Sequence, residues 1–80
     1  MKNIMMCGTV KELEKTMVLD GWYLCQINQH SNSDIESREY AFNYADTYEY
    51  VTTIEYQVNE YDENGDAEYI NVIKVTSELV

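Results

Sequence analysis

Eighty residues carrying a formal charge of −10, no proline and only three glycines describe one small acidic domain with a modest core and no flexible linker. No stretch is long and apolar enough to span a membrane, and no basic-then-apolar leader opens the chain. Such a charge repels nucleic acid and anionic membrane and attracts basic surfaces.

In chain order, residues 3–7 read as a short strand. Thr9-Val10-Lys11-Glu12 fits a capping box, with Thr9 as N-cap. Val10, Leu13 and Met17 then recur at helical spacing, so a short amphipathic helix is expected over 10–18, with Lys11–Glu14 and Glu12–Lys15 pairing on its wet side. Gly21 ends it. Residues 22–27 read as a strand with Trp22, Leu24 and Gln26 on one face. Residues 29–33 are a polar break. Residues 34–45 fit either a helix capped by Ser33 or a strand. The alternation of Tyr40, Phe42 and Tyr44 with Glu39, Ala41 and Asn43 favours strand over 38–44.

The clearest element is a hairpin over 48–76. Two runs rich in β-branched and aromatic residues flank Asn64-Gly65, the strongest short signal for a two-residue type I′ turn. That turn sets a register in which Ile54 faces Val75, Tyr56 faces Ile73 and Val58 faces Asn71, with Glu55 opposite Lys74 and Thr53 opposite Thr76. The second arm is apolar on both sides (Ile70 and Val72, Ile73 and Val75), as in an inner strand or one with a covered outer patch. The expected fold is α+β: a short N-terminal helix packed on a small antiparallel sheet with a C-terminal β-hairpin.

The charge is segregated. Residues 34–68 hold eleven acids and one base, Arg38, while the other forty-five residues hold four acids and four bases. Within that stretch glutamate directly precedes tyrosine five times, from Glu39-Tyr40 to Glu68-Tyr69. Strand neighbours point to opposite faces, so one face can bury rings while the other displays carboxylates. Carboxylates two apart on a strand lie about 6.6 Å apart. DNA carries a phosphate every ~3.4 Å along each strand. A row of such side chains therefore approaches a phosphate-like density of charge.

Asp62, Asn64 and Asp66 also begin like an EF-hand loop, but Ala67 stands where the loop needs glycine and Ile73 where it needs its bidentate glutamate. No metal and no cofactor is expected. Catalysis has little to stand on: His30 is the one histidine, and a Cys25–His30 pair lacks a third, orienting group. Cys7 and Cys25 are outside any C-x-x-C arrangement. Reduced thiols in a cytoplasm are the default, and a single disulfide stays open.

The acid–tyrosine pairs and the cluster Asp62, Glu63, Asp66 and Glu68 resemble, in composition and pattern over residues 34–68, the small phage-type inhibitors of bacterial defence. These are the anti-CRISPR and anti-restriction proteins, many of them DNA mimics. The resemblance implies a non-enzymatic protein in the host bacterial cytoplasm that occupies a nucleic-acid-binding site on a defence nuclease or CRISPR effector. The expected binding residues are Glu49, Glu55, Glu60, Tyr61, Asp62, Glu63, Asp66 and Glu68. The alternative is a small interaction or regulatory module, bound to a basic protein or to a second copy through the Ile70/Val72 face, with an acidic surface that only solubilises.

Overall fold

The computed structural model describes residues 3–29, 33–44 and 48–80. It is mixed α+β. One helix, α1 (Val10–Leu19), lies against a four-stranded antiparallel sheet of β1 (Tyr23–Gln29), β2 (Ile35–Tyr44), β3 (Tyr48–Tyr61) and β4 (Ala67–Leu79), in the spatial order β1-β2-β3-β4. No described helix is long and apolar enough to cross a membrane. His30 and Asp46 lie outside the described residues.

The helix starts where its sequence says it should. Thr9 Oγ1 accepts a hydrogen bond from the Glu12 N–H at 3.1 Å, satisfying one of the donors a helix start leaves open. It stops in a Schellman motif: Gly21 N–H donates to the Val18 carbonyl and Trp22 N–H to the Met17 carbonyl, both at 3.0 Å. Gly21 takes φ 89° to make that turn. A Cβ there would meet Phe42 Cε2 at 3.1 Å, so a side chain at this position is strained by its φ and must also push the Phe42 ring aside.

Residues 3–7 are not a strand. Ile4–Met6 form a 3-10 turn in which Asn3 supplies both acceptors, its Oδ1 to the Met5 N–H at 3.0 Å and its carbonyl to the Met6 N–H at 2.9 Å. A side chain that competes for local backbone donors favours a turn over extension. Of the ambiguous segment 34–45, Ile35–Tyr44 is strand, which starts earlier than periodicity suggests, and Ala45 lies outside the described residues.

The hairpin register is as expected near its open end, with Ile54 opposite Val75, Glu55 opposite Lys74 and Thr53 opposite Thr76. It then shifts by one. Tyr56 pairs with Val72 rather than Ile73, and Val58 with Ile70 rather than Asn71. A bulge at Ile73 causes the shift: one extra residue on β4 puts Ile70, Val72 and Val75 on a common side. It also explains why the arm looks apolar on both faces, for β4 is an edge strand, not an inner one. The register shifts again at Val58/Glu60 and Glu60/Tyr61 toward the tip, and a bulge at Cys25 moves side chains across the sheet on β1. Leu24 pairs with Tyr40 but Gln26 with Glu39, so Gln26 leaves the face of Trp22 and Leu24, and Ile27 takes its place opposite Arg38.

The core lies between α1 and the sheet. Leu13 and Met17 are fully buried with Tyr40, Ile54, Tyr56, Val58, Ile70 and Val72, and Cys7 closes one side. Burying each such aliphatic side chain contributes about 1.5–3 kcal/mol. Ile70 and Val72 are thus taken by the helix and offer no face to a second copy. Cys7 and Cys25 are both free thiols, the first buried and the second exposed. On the opposite face of the sheet Tyr23 sits across from Ala41 and its hydroxyl reaches Glu49 Oε1 at 3.1 Å. The small Ala41 lets the ring pass over it and is itself completely covered.

Candidate binding surface: the acidic hairpin tip and the groove beside it

The turn closes differently from a two-residue hairpin. Tyr61 pairs with Ala67, the Asp62 N–H donates to the Asp66 carbonyl at 2.8 Å, and the Gly65 N–H donates to the Asp62 carbonyl at 3.0 Å. The loop proper is therefore Glu63-Asn64-Gly65, with the left-handed conformation that such loops need placed on Gly65 at φ 83°. The Asp62 carboxylate selects it. Its Oδ1 accepts from the Asn64 N–H at 2.9 Å and the Asp66 N–H at 3.0 Å. The alternating Asp62-Asn64-Asp66 pattern is thus the signature of a side-chain-closed turn between two strands.

This divides the acids by role. Asp62 is half-buried and bound to its own backbone, whereas Glu60, Glu63, Asp66 and Glu68 are exposed on the projecting end. Asp34 joins them, since its carbonyl accepts from the Val58 N–H at 2.7 Å and its carboxylate lies 3.5 Å from the Tyr61 hydroxyl. Tyr61 is 41% exposed among these carboxylates. The expected site residues do not all converge. Glu49 sits eleven residues from Glu60 along β3, about 36 Å at strand rise, close to the full 39 Å length of the molecule. Glu55 is on the face turned away from the helix, as are Glu39, Glu49 and Glu78, with Lys74 opposite Glu55.

Four of the five glutamate–tyrosine pairs behave in two ways. At Glu39-Tyr40 and Glu55-Tyr56 the rings are fully buried and the carboxylates face the other side. At Glu60-Tyr61 and Glu68-Tyr69, near the tip, both members are exposed.

Sequence reasoning missed a polar network under the helix. Glu36, Arg38 and Tyr40 alternate along β2 and point to the core side, where Arg38 Nη1 meets Glu14 Oε2 at 2.9 Å and the Tyr40 hydroxyl at 3.3 Å. Arg38 Nε donates to the Tyr56 hydroxyl at 3.2 Å, and the hydroxyls of Tyr40 and Tyr56 donate in turn to Glu14 and Glu36. Gln29 Nε2 holds the other oxygen of Glu36 at 3.1 Å. No buried side-chain oxygen or nitrogen among the described residues lacks a partner, so the network meets the condition under which buried polar groups are tolerated. Burial pushes the Tyr56 phenol up to about 12, with Arg38 opposing and Glu36 reinforcing. Burial likewise raises Tyr40, helped by Glu14 and opposed by Arg38. The signal that could have found this network was Arg38 itself, the one base in an acidic run.

Because α1 packs toward the β4 side of the sheet, it leaves an open groove of about 1000 Å³ toward β1. Val10, Val18, Leu24 and Ile27 give it apolar walls, Arg38 lies in it, and Asp66 and Glu68 stand at the tip end. Lys11 and Lys15 also border it. Tip and groove form one continuous surface, acidic at the projecting end and mixed in charge along the helix. The chain matches no known protein family, no curated protein and no solved structure.

Proposed function

We propose that this protein is a non-enzymatic acidic inhibitor that works in a bacterial cytoplasm and occupies a nucleic-acid-binding site on a basic partner, as DNA-mimicking anti-CRISPR and anti-restriction proteins do. One observation carries the reading: Glu60, Glu63, Asp66, Glu68 and Asp34 are exposed together at the projecting end, with the ring of Tyr61 among them. A projecting tip can enter a groove that a flat face cannot. Each exposed carboxylate contributes little alone, because water and salt screen it. Several together steer association with a basic cleft and speed it. Tyr61 supplies the flat amphipathic contact that interfaces favour. The carboxylates of the open sheet face, Glu39, Glu49, Glu55 and Glu78, extend the same field along the molecule.

The test is competition. Defence nucleases and CRISPR effectors bound to labelled duplex DNA are challenged with the protein. Release of DNA that weakens steeply with added salt supports the reading. A panel in which no DNA is displaced at low salt removes it.

A second reading, an interaction module whose acids only solubilise, is favoured by the uncovered apolar end beyond the helix. There Trp22 and Phe42 pack with ring centroids 5.4 Å apart, next to the exposed Tyr50 and Leu79. DNA competition separates the two readings, because an apolar contact does not yield to nucleic acid.

A further inference from the structure

The outer edge of β4 is covered only at its start. There the Gly8 carbonyl accepts from the Ile70 N–H at 3.0 Å and Thr9 forms a bridge with Tyr69. Beyond the Ile73 bulge, no described residue pairs with the outer side of β4. The orientation of the backbone there follows from one bond. The Val80 N–H donates to the Glu49 carbonyl at 2.7 Å, and backbone groups alternate in direction along a strand. Those of Lys74, Thr76 and Glu78 therefore face β3, and those of Val75, Ser77 and Leu79 face outward. Proteins usually cover, shorten or charge such an edge. This one carries a single cation, Lys74, and one anion, Glu78.

We infer that this edge pairs antiparallel with the same edge of a second copy, about a two-fold axis at Thr76, to make one continuous sheet. Two-fold pairings that oppose outward backbone groups can centre on Val75, Thr76, Ser77 or Glu78, the last of which sets Glu78 against itself. Centred on Val75, Lys74 meets Thr76. Centred on Ser77, Lys74 meets Val80 and Glu78 meets Thr76. Only the Thr76 centre sets Lys74 of each copy opposite Glu78 of the other. In that register Val75 and Ser77 exchange both of their N–H···O=C bonds across the axis. Opposite charges directly across a strand pair are favourable and like charges are not, by about 0.2–1 kcal/mol each. The apolar side agrees: Val75, Tyr50 and Leu79 remain 37%, 37% and 55% exposed and flank the proposed seam. Net charge does not forbid the pairing. The tip acids begin at Glu68, eight residues from the axis, about 26 Å along β4, and the two tips point in opposite directions. Exposed charges that far apart exceed the ~8 Å screening length several-fold. The inference rests on the open edge alone and is independent of the acidic tip's role.

Sedimentation velocity of the whole chain from micromolar to near-millimolar concentration tests it. The expected result is a monomer–dimer equilibrium. Lys74→Glu sets glutamate against Glu78 of the second copy and weakens the dimer at least about tenfold, the equivalent of 1.4 kcal/mol. Lys74→Glu with Glu78→Lys restores it. That double change keeps the unfavourable contact of residue 74 with Glu55 inside each copy, so recovery reports the contact between copies. Val75→Pro removes an outward N–H, not one bonded to β3, and abolishes pairing while circular dichroism stays native. A monomer throughout the range overturns the inference. So does a dimer indifferent to Lys74→Glu, a dimer not restored by the double exchange, or one that survives Val75→Pro.

Discussion

Arg38 on β2 and Glu14 on α1 meet at 2.9 Å, so the one base of the acidic stretch is turned inward and ties the helix to the sheet. Its guanidinium also donates to Tyr40 and Tyr56. Arg38→Met should therefore cost about 1–3 kcal/mol in urea denaturation. The lower part of that range applies, because the Glu14 side chain is 37% exposed and can recover water. A double-mutant cycle with Glu14→Gln should show a coupling of about 1 kcal/mol. Additive effects would mean the pair is a bystander.

Tyr40 and Tyr56 predict how the fold fails in alkali. Both phenols are raised above the ordinary value by burial, Tyr56 to about 12. Between the unfolded value of about 10 and that higher value, the native chain holds protons that the unfolded chain has released. The contribution is complete below about pH 10 and is lost as pH rises toward about 12, at ~1.4 kcal/mol per pH unit for each phenol. Phenolate absorbance should show a late component that coincides with unfolding and shrinks in Tyr56→Phe. Titration of every tyrosine before unfolding would contradict it.

At the hairpin tip, neighbouring acids should respond differently to neutralisation. Asp62→Ala removes the acceptor for two backbone N–H groups and should cost about 1–2 kcal/mol. Glu63 is exposed on the loop, so Glu63→Gln should stay within about 0.5 kcal/mol. Equal effects on the melting temperature would show that the turn does not depend on its side-chain closure.

Gly21→Ala should destabilise by at least about 1 kcal/mol, since it places a Cβ at positive φ and against Phe42. Gly65→Ala meets no atom within 4 Å, so it carries the φ penalty alone and should cost less. Thermal melts of the two variants give the order directly.

Local signals were legible. Thr9 marks the helix start through its own side chain, Gly21 marks the stop, and Asn64-Gly65 marks the turn. What escaped depends on distant or subtle terms. The bulges at Cys25 and Ile73 leave no mark that period-two reading can detect, yet each moves a set of side chains across the sheet. The loop came out one residue longer because the Asp62 carboxylate, not backbone preference alone, closes it. Glu36, Arg38 and Tyr40 have the polarity of a solvated strand face. Only the arrival of Glu14, twenty-four residues earlier in the chain, makes that face interior. For the same reason Asp62 belongs to the turn's architecture and is the wrong residue to neutralise when testing binding.

Occupation of a nucleic-acid-binding site by the acidic tip is therefore best tested with a variant that spares Asp62: Glu60→Gln, Glu63→Gln, Asp66→Asn and Glu68→Gln together. Purified CRISPR effectors and restriction nucleases are passed over the immobilised protein and this variant, with and without duplex DNA, at about 50 and about 200 mM salt. At least one effector should be retained at low salt, be displaced by DNA, associate more slowly with the variant, and show a shallower salt dependence there. Retention of no effector, or retention that neither DNA nor the four neutralisations alter, would contradict it.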